Sequence, residues 1–348
     1  MEVAQSVTLD PGLAGASGFD AAAVLGLRRA IYGKDGVTRA DVAGLLVFGR
    51  AAGQNAGPEY ADLLSEAATD FLVRQVDPPG YIPAVEADWL IAQLADGGGL
   101  ACRAEFAMLV DLLGHAVSTP PALTAFAVRE VEKAILTGRR AATGEVDHAP
   151  GVVTAGDVAA LRSLVFATTQ GSSLHVTEES AEALFDIAHA TAGAANDPAF
   201  DDFFAKAVGN YLIGVEFRWT PAASVVLEHE HWADRPSTLM SFLGGMVSAT
   251  LGERLADVRT ENASVDDLDE RSFAQENAAD AAAMADAAAI KRPAADWVIA
   301  HLTREGALTS AEKRLLAFIA AEAASTPESL SAAIKRLSAP EPVEESAP

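Results

Sequence analysis

The sequence predicts an all-α protein made of two related helical-bundle modules, and three observations predict it. Half of the residues are hydrophobic, drawn largely from alanine and leucine, with 6% aromatics. That mixture gives up little conformational entropy on becoming helical. β-branched residues in strict alternation are scarce, so the period-2 pattern of half-buried strands is missing. The chain also resembles itself at long range, the signature of a repeated supersecondary unit.

Taken in order, residues 1–18 (MEVAQSVTLDPGLAGASG) are small and polar and read as a disordered N-terminus. The first module covers 19–138. Within it Thr38 followed by Asp41 is an acidic capping pair, in which a hydroxyl and a carboxylate satisfy the orphan amides of a helix start. Pro58 stands where a proline suits the first turn of the next helix. The segment DPPGYIP, 77–83, is a stiff turn, because proline fixes the backbone. Residues 139–151 form a linker, and the second module covers 152–338. There Thr177 precedes Glu178 and Glu179, whose carboxylates face the positive end of a helix dipole. Thr309 and Glu312 form a full capping box. Leu315, Leu316 and Ile319 then give one buried stripe. The tail 339–348 reads as disordered.

The internal match has two parts. Val37-Thr38 aligns with Val176-Thr177, Leu45-Leu46 with Leu184-Phe185, Pro58 with Pro198, and Phe71-Leu72 with Tyr211-Leu212, the offset moving from 139 to 140. Asp88-Trp89 aligns with Asp296-Trp297, Leu94 with Leu302, Leu100 with Leu308 and, one residue dropped, Glu105 with Glu312. Both copies run on into Ser-Thr-Pro, at Ser118 and Ser325. The order A, B, A′, B′ points to a tandem duplication, its second copy interrupted by an insertion over 215–290. From Asn262 to Ala289 that insertion is acidic and alanine-rich, a composition of exposed helix or linker.

A formal charge of −24 and a pI near 4.5 repel nucleic acid and anionic lipid. Cys102 is the sole cysteine, which excludes an intrachain disulfide and a thiolate metal cluster. It is expected as a buried, inert thiol on a helix. The N-terminus lacks a basic region followed by an apolar one, so no signal peptide is read. No apolar run reaches membrane length, and the expected location is cytoplasmic.

The densest group of coordinating side chains is LEHEHWADRP, with Glu228, His229, Glu230, His231, Trp232 and Asp234. On an extended segment His229 and His231 point the same way and could share a divalent metal such as zinc. On a helix they diverge by ~200°. Zinc needs three or four ligands, with Glu228, Glu230 and Asp234 as the nearby carboxylates. Trp232 is the candidate partner-binding residue. The other histidines, His115, His148, His175, His189 and His301, are scattered and read as surface or satisfied core. Gly97-Gly98-Gly99 has no lysine at P-loop spacing, and no nucleophile elbow occurs. Trp89 and Trp297, at matching places, are expected core anchors.

Glu305, Gly306, Leu308 and Glu312 fit the second half of a calcium loop, which needs oxygen ligands at its first, third and fifth positions and a glutamate at its twelfth. Counting back from Glu312 puts His301 first and Thr303 third. The corresponding stretch before Leu100 has Gln93 first and Ala104 twelfth, and KDGVTRADV has Ile31 and Val42 there. These are not functional EF-hand loops. Helix, Asp-Gly-x-Ile/Leu-x-x-x-Glu, helix resembles the tellurite-resistance TerB-like family, with Glu305 standing here for the aspartate. The stretches that carry the resemblance are Glu305-Gly306 to Glu312, Asp96-Gly97 to Glu105, and Asp35-Gly36 to Asp41. The resemblance implies helical hairpins packed into bundles, a stress-response link, and Asp96, Glu105, Glu305 and Glu312 as metal-site candidates. The function expected is a non-catalytic helical interaction or scaffold protein with a protein partner and no cofactor. The alternative is a metal-binding sensor or metal-dependent hydrolase using the Glu-His-Glu-His-Trp segment.

Overall fold

A computed structural model of the chain describes residues 21–53, 56–96, 98–140, 147–165, 176–214, 289–304, 306–323 and 325–337. The chain divides into two units, Met1–Thr220 with Ala288–Pro348 and Pro221–Ala287, and all described residues lie in the first. The protein is all-α. Twelve α-helices are described, with two isolated β-bridges and no strand among the described residues. In the first half they are α1 (Ala21–Tyr32), α2 (Arg39–Ala52), α3 (Pro58–Thr69), α4 (Ala84–Asp96), α5 (Arg103–His115) and α6 (Pro121–Thr137). The second half has α7 (Ala155–Val165), α8 (Glu178–Ala190), α9 (Ala199–Gly214), α10 (Arg292–Leu302), α11 (Ser310–Glu322) and α12 (Glu328–Leu337). Asp70–Arg74 extends α3 by a π-helical turn.

Local chemistry sets the helix starts. Thr38 accepts from the Asp41 amide while Asp41 accepts from Thr38, and Thr309 with Glu312 does the same. Thr177 caps α8 by accepting from the Ser180 amide. Pro58 opens α3, whereas Pro198 lies one residue ahead of α9. Cys102 is buried, but it is the N-cap of α5 rather than a residue within a helix.

In packing, α3 lies along α5 and α9 along α11. The latter approach is close because residue 209 is glycine: a Cβ there would stand 2.4 Å from Cε1 of Phe318. Positions matched in sequence hold matching contacts. Phe71 meets Trp89 edge-on at 5.8 Å, and Tyr211 meets Trp297 likewise at 4.8 Å. Both tryptophans are partly buried against the core. The Ile82 amide donates to the Ser118 carbonyl and the Ile290 amide to the Ser325 carbonyl, each at 3.0 Å. Ile82 and Ile290 are both buried, so the core takes in the last residue of the stretch read as insertion.

α6 joins the halves. It packs on α4 and α5 and also on α7 and α8, so that one hydrophobic cluster runs through both. Arg140, in the stretch read as linker, is wholly buried. It grips Asp157 through Nε and Nη2 at 2.8–3.0 Å and donates to the Val152 carbonyl at 2.7 Å. No described helix is long and apolar enough to cross a membrane.

Candidate functional site

Four carboxylates are buried among the described residues: Asp41, Glu105, Asp157 and Glu312. Each is the third residue of its helix, in α2, α5, α7 and α11 respectively. There it meets the orphan amides of the first turn and the positive end of the dipole. Backbone N–H groups donate to all four: Thr38 to Asp41 at 2.8 Å, Ala101 to Glu105 at 2.7 Å, Thr154 to Asp157 at 2.8 Å and Thr309 to Glu312 at 2.7 Å.

Each also has a nitrogen partner from elsewhere in the chain. Lys34 lies 2.7 Å from Asp41, Arg50 Nε donates to Glu105 at 2.6 Å, Arg140 grips Asp157, and His189 Nε2 lies 2.9 Å from Glu312. Burying a carboxylate without such partners costs several kcal/mol, which accounts for the pairing. Burial would raise the Asp41 carboxyl, but hydrogen bonds from Lys34 and Thr38 outweigh it and hold the group below its ordinary range. Burial pushes the Cys102 thiol up, which disfavours the nucleophilic thiolate. It does the same to the Tyr60 hydroxyl, which donates to the Leu45 carbonyl.

Arg50 and His189 stand at matching positions, at the offset of 139 that aligns α2 with α8, and their partners Glu105 and Glu312 are aligned too. The two halves thus hold one kind of clasp, guanidinium on carboxylate in the first and imidazole on carboxylate in the second. In the sequence His189 stands as a scattered histidine. The offset of 139 between the two similar stretches already sets it level with Arg50.

Of the acidic residues implied by the TerB-like resemblance, Glu105 and Glu312 are in these clasps and Asp96 is exposed at the end of α4. Glu305 lies outside the described residues, as do Glu228, His229, Glu230, His231, Trp232, Asp234 and His175. Among the described residues no three His, Cys, Asp or Glu side chains are grouped as a metal site. His301 is instead engaged with its own helix, its Nδ1 lying 2.9 Å from the Trp297 carbonyl.

Beside the second clasp lies a groove of about 540 Å3 between the α8–α9 connection and the start of α11. Thr191, Asn196, Asp197, Asp201, Ala307 and Ser310 are among its walls. Its polar groups brace one another. Asn196 donates to the Thr191 carbonyl at 3.0 Å and accepts from the Val153 amide at 2.9 Å, and Ser310 donates to Asp201 at 3.0 Å. Sequence reading missed the groove, because its walls come from segments more than a hundred residues apart. No family model matches the chain, and neither do curated proteins or solved structures.

Proposed function

We propose that the protein is a non-catalytic, cytoplasmic helical scaffold that binds a protein partner, with the stress-response link that its TerB-like turns suggest. The observation that supports this reading is the fate of the buried acids. All four carboxylates that the described core holds accept from first-turn amides and meet a lysine, arginine or histidine nitrogen. A catalytic carboxylate, by contrast, must face its substrate with a proton or lone pair to spare. The partner surface is assigned to the insertion of the second module, where Trp232 offers an aromatic anchor.

Elemental analysis of untagged protein, beside a His229→Ala/His231→Ala variant, tests the reading. Metal-free protein that retains its thermal stability on adding zinc or calcium is the expected result. Stoichiometric metal lost in the variant would overturn it in favour of a metal sensor or hydrolase. In-cell cross-linking supplies the positive arm, with a discrete partner adduct expected for the native chain and its loss in Trp232→Ala.

A further inference from the structure

The two helix–turn–helix corners that carry the clasps are held differently. In the first half, three side chains tie the α4–α5 turn. Arg50 Nη2 donates to the carbonyls of Leu94 at 2.9 Å and Gly99 at 3.3 Å. Lys133, on α6, donates to the Gly98 carbonyl. Glu130, also on α6, accepts from the Leu100 amide at 2.8 Å. The fit is tight, since a Cβ on Gly99 would stand 2.1 Å from the Glu130 carboxylate.

The second half cannot repeat this by residue type. The shared Ser-Thr-Pro aligns the sequence of α12 with that of α6 at an offset of 207, which matches Leu337 to Glu130 and Pro340 to Lys133. A leucine side chain accepts no hydrogen bond and a proline side chain donates none. Gly306 aligns with Gly98, and a Cβ on either would meet nothing within 4 Å, but Ala307, which aligns with the buried Gly99, is exposed. α6 is pressed between both halves, whereas the main described contact of α12 is with α10. What is common to the corners is the clasp, whose glutamate holds the Ala101 amide in one and the Thr309 amide in the other.

We infer that Gly306–Leu308 is a movable wall of the groove beside the His189–Glu312 clasp, hinged at the capped Thr309, while the matching Gly98–Leu100 is fixed. Segments held by few buried contacts and few hydrogen bonds open locally at low cost, and binding surfaces are drawn from them. The wall bears Ala307 and Leu308. Its movement would change the width of the groove without disturbing the four buried carboxylates.

Residue-resolved amide hydrogen exchange on the full chain tests this, with the first half as internal control. Protection at Gly306, Ala307 and Leu308 is expected to be lower than at Gly98, Gly99 and Leu100 by about tenfold or more, the effect of losing one or two net hydrogen bonds. Glu130→Leu should lower Leu100 towards the level of Leu308 while the α3 and α5 core amides keep their protection. Lys133→Met, which alters an exposed side chain, should lower Gly98 and Gly99 by a few-fold. Equal protection of the two turns in the native chain, or Glu130→Leu and Lys133→Met that both leave Gly98–Leu100 unchanged, would overturn the inference.

Discussion

Replacing Arg140 with methionine should be among the most damaging single changes in the described core. The guanidinium and the Asp157 carboxylate are both 0% exposed and share contacts of 2.8, 3.0 and 2.8 Å. Arg140 also serves the Val152 carbonyl at 2.7 Å, and its own amide donates to Asp147 at 2.8 Å. Methionine fills much of the same space without the charge. Asp157 would keep its bonds from the Thr154 amide and hydroxyl but lose its cation. Removing one partner of a buried pair costs about 3–5 kcal/mol, because the surviving charge stays desolvated. That is a large share of a typical total stability of ~5–15 kcal/mol. Urea unfolding followed by far-UV circular dichroism measures the loss, with the slope m expected to hold. Asp157→Asn should be costly alone. The double variant should be less damaged than the sum of the singles, by ~0.5–3 kcal/mol of coupling. Additive singles, or an Arg140→Met variant as stable as the native chain, would refute the idea that this pair fixes the connection between the halves.

Three further outcomes follow from the packing and the charges. Gly209→Ala drives a methyl into the Phe318 ring and should cost about 1–3 kcal/mol by overpacking, seen as a lowered thermal midpoint; an unchanged midpoint would mean that α9 and α11 pack less closely than described. Asp202 is held down at about 2 by Lys206 and then Arg314, which also ties it to α11. A depressed carboxyl gives stability above its unfolded value of ~3.9, lost as pH falls towards 2. Stability measured across that window should therefore fall less steeply in Asp202→Asn, and added salt should shrink the difference because the group is partly exposed. Cys102, buried with its thiol pushed up, should react with a thiol reagent far more slowly in the native chain than in denaturant; equal rates would place the cap in solvent.

The helical class and most helix starts were legible in the residues. Thr38 with Asp41 and Thr309 with Glu312 announce their helices because a cap and its third residue are one turn apart, and the chemistry is complete within four residues. The roles of Arg140 and His189 were not legible. Each looked like an isolated polar residue, one in a linker and one on a helix, since nothing nearby in sequence shows what it will meet. The matching of Arg50 with His189 was available from the sequence offset of 139, but its meaning depended on seeing Glu105 and Glu312 across from them.

By itself, then, the sequence determined that the chain is helical, where several helices begin, and that Leu315, Leu316 and Ile319 form a buried stripe. These are properties of short windows and of periodicity, where propensity, capping and hydrophobic spacing act locally. Tertiary structure alone decided which nitrogen side chain answers each buried carboxylate, over separations of 17 residues for Arg140 and Asp157 and 123 for His189 and Glu312. It also decided that one corner is tied by α6 while its counterpart borders a groove. A capped carboxylate must be neutralised once it is buried, but which nitrogen reaches it depends on how the helices pack.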